Sequence, residues 1–270
     1  MTILGANIAA NDYGFVVEQS LKWAEMHDSR ILVFANVHVV MEAVDDPAYR
    51  TCLNSADIVS PDGVPLVWAL KLLGRPEASR VYGPDCTLAM LKRAEEKEVA
   101  VGFYGGSPEV LEALLKVVRR DYPALQIPFA MSPPFRQLTV KEDEEVVREI
   151  IDSGARILFV GLGCPKQERW MTEHRERVPG VMFGVGAAFD FIAGSKKQAP
   201  RWMMNFGLEW IFRFITEPRR LARRYLKNNP RFVLLFAWQL ITGRVPIPTD
   251  PQREIVKQLN LDIPHGGASD

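Results

Sequence analysis

The chain has 270 residues, enough for one large α/β body or for a body with an appendage. Hydrophobic residues at 47% and charged residues at 24% are ordinary globular values, which exclude a disordered chain and a multi-span membrane protein. Basic and acidic residues number 33 each, but Arg201, Arg213, Arg219, Arg220, Arg223, Arg224, Lys227, Arg231 and Arg244 face only Glu209 and Glu217 in the same stretch. A neutral chain thus carries a strongly basic end.

The three cysteines, Cys52, Cys86 and Cys164, are far apart and form no C-x-x-C pair. Neither a disulfide framework nor structural zinc is expected, and a reducing cytoplasm fits. Met1 to Ala10 lacks the basic start and long apolar core of a signal peptide. The run Phe232 to Ile241, interrupted by Gln239, is shorter than the ~20 residues that cross a bilayer as a helix. It can lie on a membrane but not span one.

In chain order, Ile31 to Val40 reads as a strand, and the apolar pair Ile58-Val59 leads into the turn Ser60-Pro61-Asp62-Gly63-Val64-Pro65 and a helix-like Leu66 to Leu72. Val99 to Tyr104 is a strand followed by Gly105-Gly106-Ser107-Pro108. Ser107 to Tyr122 then shows a capping serine, proline in the first turn and one apolar face, which predict an amphipathic helix. Val140 to Ser153 repeats the design with Thr139 as cap, and its acids from Glu142 to Glu145 read as a solvated helix start. Ile157 to Val160 and Val181 to Val185 are further strands. Alternation of this kind predicts βα units on a mostly parallel sheet flanked by helices.

After Pro200 the texture changes. Met203 to Thr216 and Arg219 to Leu226 read as helices separated at Pro218, with a third beginning after Pro230. The expected organisation is a catalytic body over 1–200, a basic aromatic helical appendage over 201–244 and a flexible tail over 245–270.

Three glycine turns follow strands: Gly105-Gly106, Gly161-Leu162-Gly163-Cys164-Pro165-Lys166-Gln167-Glu168, and Gly184-Val185-Gly186-Ala187-Ala188-Phe189-Asp190. Ligands of open α/β sheets lie beyond the carboxyl ends of the strands, where glycine lets backbone N–H groups approach phosphate oxygens. One such turn is weak evidence, since glycine also simply permits tight turns; three in βα units point to a site. Lys166 and Phe189 stand where a dinucleotide fingerprint needs a small residue, which disfavours a standard NAD loop, and no P-loop is present. His27, His38, His174 and His265 lack metal-ligand spacing and no Asp-x-Asp occurs, so no metal and no cofactor is expected.

Asp62 has two readings. Pro-Asp-Gly is a common turn former, but a carboxylate held in the crevice can also take a proton from an acceptor hydroxyl, as glycosyl transfer from a sugar nucleotide requires. The glycine turns, Lys166 and the arginines can then steady a departing diphosphate. Cys164 reads as small filler rather than a nucleophile, and His38 as a substrate contact or a hydrogen-bonded core residue. The aromatics of the basic end suit either a packed layer or a membrane-facing surface; no nucleic-acid motif appears, and nucleic acid is not an expected partner.

These residues together resemble the WecG/TagA/CpsF family of glycosyltransferases from about Ile3 to Gly243. The resemblance rests on Asn36, Ala56-Asp57-Ile58-Val59-Ser60-Pro61-Asp62-Gly63, Arg80-Val81-Tyr82-Gly83-Pro84-Asp85, the two later glycine turns, and Gly207-Leu208-Glu209-Trp210-Ile211-Phe212-Arg213. It implies a Rossmann-like, inverting, metal-independent transferase that moves a sugar from a UDP-sugar to a polyprenyl-diphosphate-linked saccharide for bacterial surface polymers. Such an enzyme would sit on the inner face of the cytoplasmic membrane. It also implies that Asp62 is the base and that Asn36, Arg80, Gln167 and Asp190 are pocket residues. Gly105, Gly106, Gly161, Gly163, Pro165, Lys166, Glu168, Gly186 and Phe189 are expected around nucleotide and donor, and Arg213, Arg219, Arg220, Arg223 and Arg224 around lipid diphosphate or membrane. Phe34 stands where some members carry a pocket threonine, so donor identity does not carry over. Homo-oligomerisation stays open, and the rival readings are an NAD-dependent oxidoreductase and a non-catalytic nucleotide-sugar binder.

Overall fold

The structure, a computed structural model, describes residues 1–246 and all their side chains except that of Arg220. From residue 247 on, the tail expected over 245–270 lies outside the described residues. The chain begins with an antiparallel hairpin of β1 (Thr2–Ile3) and β2 (Ala6–Asn7), followed by α1 (Tyr13–Glu25). The body continues with β3 (Arg30–Ala35), α2 (Val37–Asp45), α3 (Pro47–Ser55), β4 (Ile58–Pro61), α4 (Val64–Leu72), α5 (Gly83–Glu96), β5 (Val101–Gly105), α6 (Pro108–Asp121) and β6 (Phe129–Met131). It closes with α7 (Val140–Ser153), β7 (Ile157–Gly161), α8 (Lys166–Glu173), β8 (Val181–Gly184) and α9 (Ala188–Ile192). Three helices remain: α10 (Arg201–Asn205), α11 (Glu209–Thr216) and α12 (Pro218–Thr242).

Six strands form one parallel sheet in the order β4-β3-β8-β7-β5-β6. A parallel sheet is covered on both faces, so its strands are apolar throughout rather than alternating with polar residues. β3 shows this: Ile31, Val33 and Ala35 pack into one core with Met41, Leu53 and Met171, whereas Leu32 and Phe34 enter the other with Leu21, Leu91 and Leu114. The Rossmann-like α/β architecture expected from the sequence is the one observed.

Local chemistry sets most boundaries. Ser107 caps α6 through Val110 N, and Thr139 with Glu142 forms a reciprocal capping box on α7, as predicted. The strand expected over Ile31 to Val40 instead stops at Ala35, because Asn36 Oδ1 accepts from His38 N at 3.0 Å and Val39 N at 3.3 Å and starts α2. The helix expected over Met203 to Thr216 is cut at Gly207, whose φ is +71° and whose Cβ would crowd Val64 at 3.1 Å.

Pro230 does not end a helix: α12 runs through it unbroken. The carbonyl it leaves unbonded belongs to Leu226, and both residues are exposed, so water can take that bond. Packing then holds the helix on either side. Lys227 and Arg231 pair with Asp45 of α2, and Phe232 and Phe236 enter the core. Further along, Gln239 accepts from Leu4 N and donates to Thr2 O, each at 2.9 Å.

Candidate active site

A cleft of about 1380 Å³ opens over the carboxyl ends of β3, β4, β5, β7 and β8. Asn36, Asp62, Arg80, Gly106, Gly161, Gly163, Lys166, Gln167, Gly186 and Asp190 all line it, joined by Arg213 and Arg224 from the C-terminal helices. The amino ends of α2, α6 and α8 face the same space, where aligned peptide dipoles favour an anion.

Asp62 is pinned by its backbone. Its N–H and that of Gly63 both donate to Ala35 O, at 2.8 and 3.2 Å, and a Cβ on Gly63 would approach Asn36 Cα to 3.2 Å. Glycine thus relieves a tight contact where the β4 turn approaches the β3 end. Arg80, on the loop before α5, donates from Nε to Asp62 O and from Nη2 to Asp62 Oδ1 at 3.2 Å, with its guanidinium 4.3 Å from the Tyr82 ring centroid. The same Nη2 donates to Glu209 Oε2 at 2.5 Å. Burial pushes the Asp62 carboxyl up to about 7; Arg80 opposes the shift and Glu209 adds to it. The side chain is 18% exposed and faces the cleft. A carboxyl with that proton affinity is matched to proton transfer near neutral pH.

The glycine turns divide in their reasons. A Cβ on Gly105, at φ +123°, would lie 2.5 Å from the Gly161 carbonyl carbon, and one on Gly161 would lie 2.6 Å from the Phe189 ring. These two glycines are dictated by packing rather than by phosphate approach. Phe189 itself is core, edge-on to Phe103. Gly163, at φ +80°, has open space around it and donates to Gln167 Oε1 at 3.1 Å, while Gln167 Nε2 donates to Glu168 Oε1 at 2.8 Å. Buried Glu168 thus fixes the amide of Gln167, and burial raises the Glu168 carboxyl above the usual range. Gly105, Pro165, Glu168 and Phe189 do not themselves line the cleft. Asp190 does, held by Lys196 at 2.9 Å.

Cys164 borders the cleft with Sγ 3.3 Å from the Tyr49 hydroxyl, and burial pushes its thiol far up, which suits filler and not a nucleophile. Burial, then Arg224, pulls His38 down to about 4, so it is neutral in the cleft wall. Phe34 lies between two environments: it stacks on Phe183 at 6.3 Å in the core and shows an edge to the cleft. Arg219 and Arg223 are exposed and do not line the cleft; the side chain of Arg220 lies outside the description.

Several cleft residues escaped the reading from sequence. Glu209 is one: it stood in the Gly207 to Arg213 motif and as a rare acid in an arginine-rich stretch, but no site role was assigned to it. Asp143 is another. It faces inward, bonded to His174 Nε2 at 2.8 Å and Trp170 Nε1 at 3.4 Å, where the sequence suggested a solvated helix start. Among the described residues no group of three or more His, Cys, Asp or Glu side chains could hold a metal ion.

A parallel sheet with a carboxylate, an amide and several cations gathered over its strand ends defines an α/β enzyme that handles an anionic substrate. The model of the WecG/TagA/CpsF family of glycosyl transferases matches residues 1–246, and the chain belongs to that family. It is a glycosyltransferase. Its relatives include an N-acetylglucosaminyldiphosphoundecaprenol N-acetyl-beta-D-mannosaminyltransferase of Bacillus spizizenii, 33% identical over 81% of this chain and 83% of the relative. Proteins of the same description from Staphylococcus aureus, strain NCTC 8325, and Bacillus subtilis, strain 168, are similar. The first is 34% identical over 76% of this chain and 79% of its own length, the second 26% identical over 85% and 87%.

Proposed function

We propose that the chain transfers an N-acetylhexosaminyl group, N-acetylmannosaminyl by analogy with its relatives, from a UDP-sugar to a polyprenyl-diphosphate-linked saccharide. The observation that carries this reading is the Asp62 carboxyl, held at the cleft floor with a proton affinity near neutrality and cations around it. Asp62 takes the acceptor hydroxyl proton as that oxygen bonds to the sugar anomeric carbon. The bond from that carbon to the UDP oxygen breaks, and one in-line displacement inverts the centre. Charge gathering on the departing diphosphate is met by Lys166, Arg213 and Arg224, all lining the cleft, and by the amino end of α8.

On this reading no metal takes part. Asn36 spends its Oδ1 on capping α2, which leaves Nδ2 to meet substrate. The lipid-linked acceptor enters beneath α11 and α12, whose exposed Leu226, Val233, Leu234 and Ile241 and exposed Arg219 and Arg223 face a membrane surface. No described helix is long and apolar enough to cross a membrane. The test is incubation with UDP-N-acetylmannosamine and a short-chain N-acetylglucosaminyl diphosphoryl prenol, with product mass followed in buffer containing EDTA. A single added N-acetylhexosamine is expected, at an unchanged rate with the chelator. No product from any UDP-N-acetylhexosamine would reject the reading.

A further inference from the structure

Glu209 is bonded to Arg80, which also binds the Asp62 carboxylate. It opens α11, a helix with no fully buried residue, and its side chain is 15% exposed against Arg80. Arg80 Nη2 stands 2.5 Å from Glu209 Oε2 and 3.2 Å from Asp62 Oδ1, so one guanidinium nitrogen serves two carboxylates and lies closer to the one that is not the base. We propose that Glu209 is a positioning residue that draws Arg80 away from Asp62, so that Asp62 is poised as a base only when α11 is docked over the cleft. This inference rests on the reading of Asp62 as the base.

The charged and titratable groups that act on Asp62, or feel it, come from every element around it. They are Arg80 and Tyr82 on the loop before α5, Cys86 on α5, Tyr13 on α1, and Glu209 and Arg213 on α11. Arg80 and Arg213 favour the ionised carboxylate; Glu209 opposes it. A fully paired Asp62 would be a poor proton acceptor, because a carboxylate stabilised by a cation holds its proton less well. Docking of α11 thereby ties the strength of the base to closure of the C-terminal helices.

The experiment is the pH dependence of kcat/KM for the full chain carrying Glu209→Gln, with Glu209→Asp and Asp62→Asn in parallel. Loss of the Glu209 charge leaves Arg80 to Asp62 alone, so the acid limb is expected to move to lower pH by about one unit. The plateau of kcat should fall roughly tenfold as the base weakens, with KM for the UDP-sugar little changed. Glu209→Asp keeps the charge and should fall between the two, and also serves if the glutamine variant does not fold. An acid limb that stays in place, or moves up, while Asp62→Asn is inactive overturns the positioning role and leaves the base assignment standing. Full activity in Asp62→Asn overturns both.

Discussion

The strand-end loops and the C-terminal helices meet across one cleft, but they are held there by different means. Asp62, Gly63 and Gln167 are fixed by backbone hydrogen bonds and by glycines whose replacement would collide with backbone or ring atoms. The later helices arrive through side chains: Glu209 on Arg80, Arg201 on Asp85, Lys227 and Arg231 on Asp45, with Phe232 and Phe236 as apolar anchors. Three of the basic residues that stood out in the sequence, Arg201, Lys227 and Arg231, thus serve attachment to the body. The lesson is that the chemistry is built rigidly while its cover is fastened by separable contacts.

The largest expected effect breaks the rigid half. Asp62→Asn should lower kcat by roughly 10²-fold or more while UDP-sugar binding persists, measured by turnover and by titration calorimetry. The same variant sharpens the cost of that arrangement. A carboxyl raised from 3.8 to about 7 by burial stabilises the fold fully below about 4, and that contribution is lost as pH rises through about 7. Wild-type stability should therefore decline across this window, and the asparagine variant should lose the decline; identical pH profiles in thermal melts would contradict the buried carboxyl.

A smaller effect is expected from loosening the cover. Phe236→Ala removes a buried ring from the core and should cost about 3–4 kcal/mol. If the glycine turns of the body hold the donor as proposed, acceptor use should fall more than donor binding. Equal losses of both would mean that the two halves fold as one unit. The smallest effect concerns the surface: Arg219→Ser with Arg223→Ser should weaken sedimentation with anionic vesicles by about 1 kcal/mol per arginine and leave a soluble-acceptor assay unchanged. Unaltered sedimentation would place the lipid contact elsewhere.

Much of the body was legible because its signals are local. Apolar runs, the Ser107 and Thr139 caps and the strand-end glycines specify βα units within a few residues of themselves. What was not legible depends on partners far along the chain. The reason for Gly161 is the ring of Phe189, the passage of α12 through Pro230 depends on Asp45 and the body core, and the place of Glu209 depends on Arg80, 129 residues away. The Val37 to Val40 run looked like strand because β-branched residues favour it, but the Asn36 cap and tertiary packing decided for helix.

The bonds from Gln239 to Thr2 and Leu4 join the two extremes of the described chain, 235 residues apart between Leu4 and Gln239. The Leu4 amide, in the amino-terminal hairpin, thus has its acceptor on the last helix of the described chain. Arg213 and Arg224, which line the cleft, precede that glutamine on α11 and α12. The C-terminal helices therefore complete two separate places at once, the cleft over the strand ends and the amino-terminal hairpin.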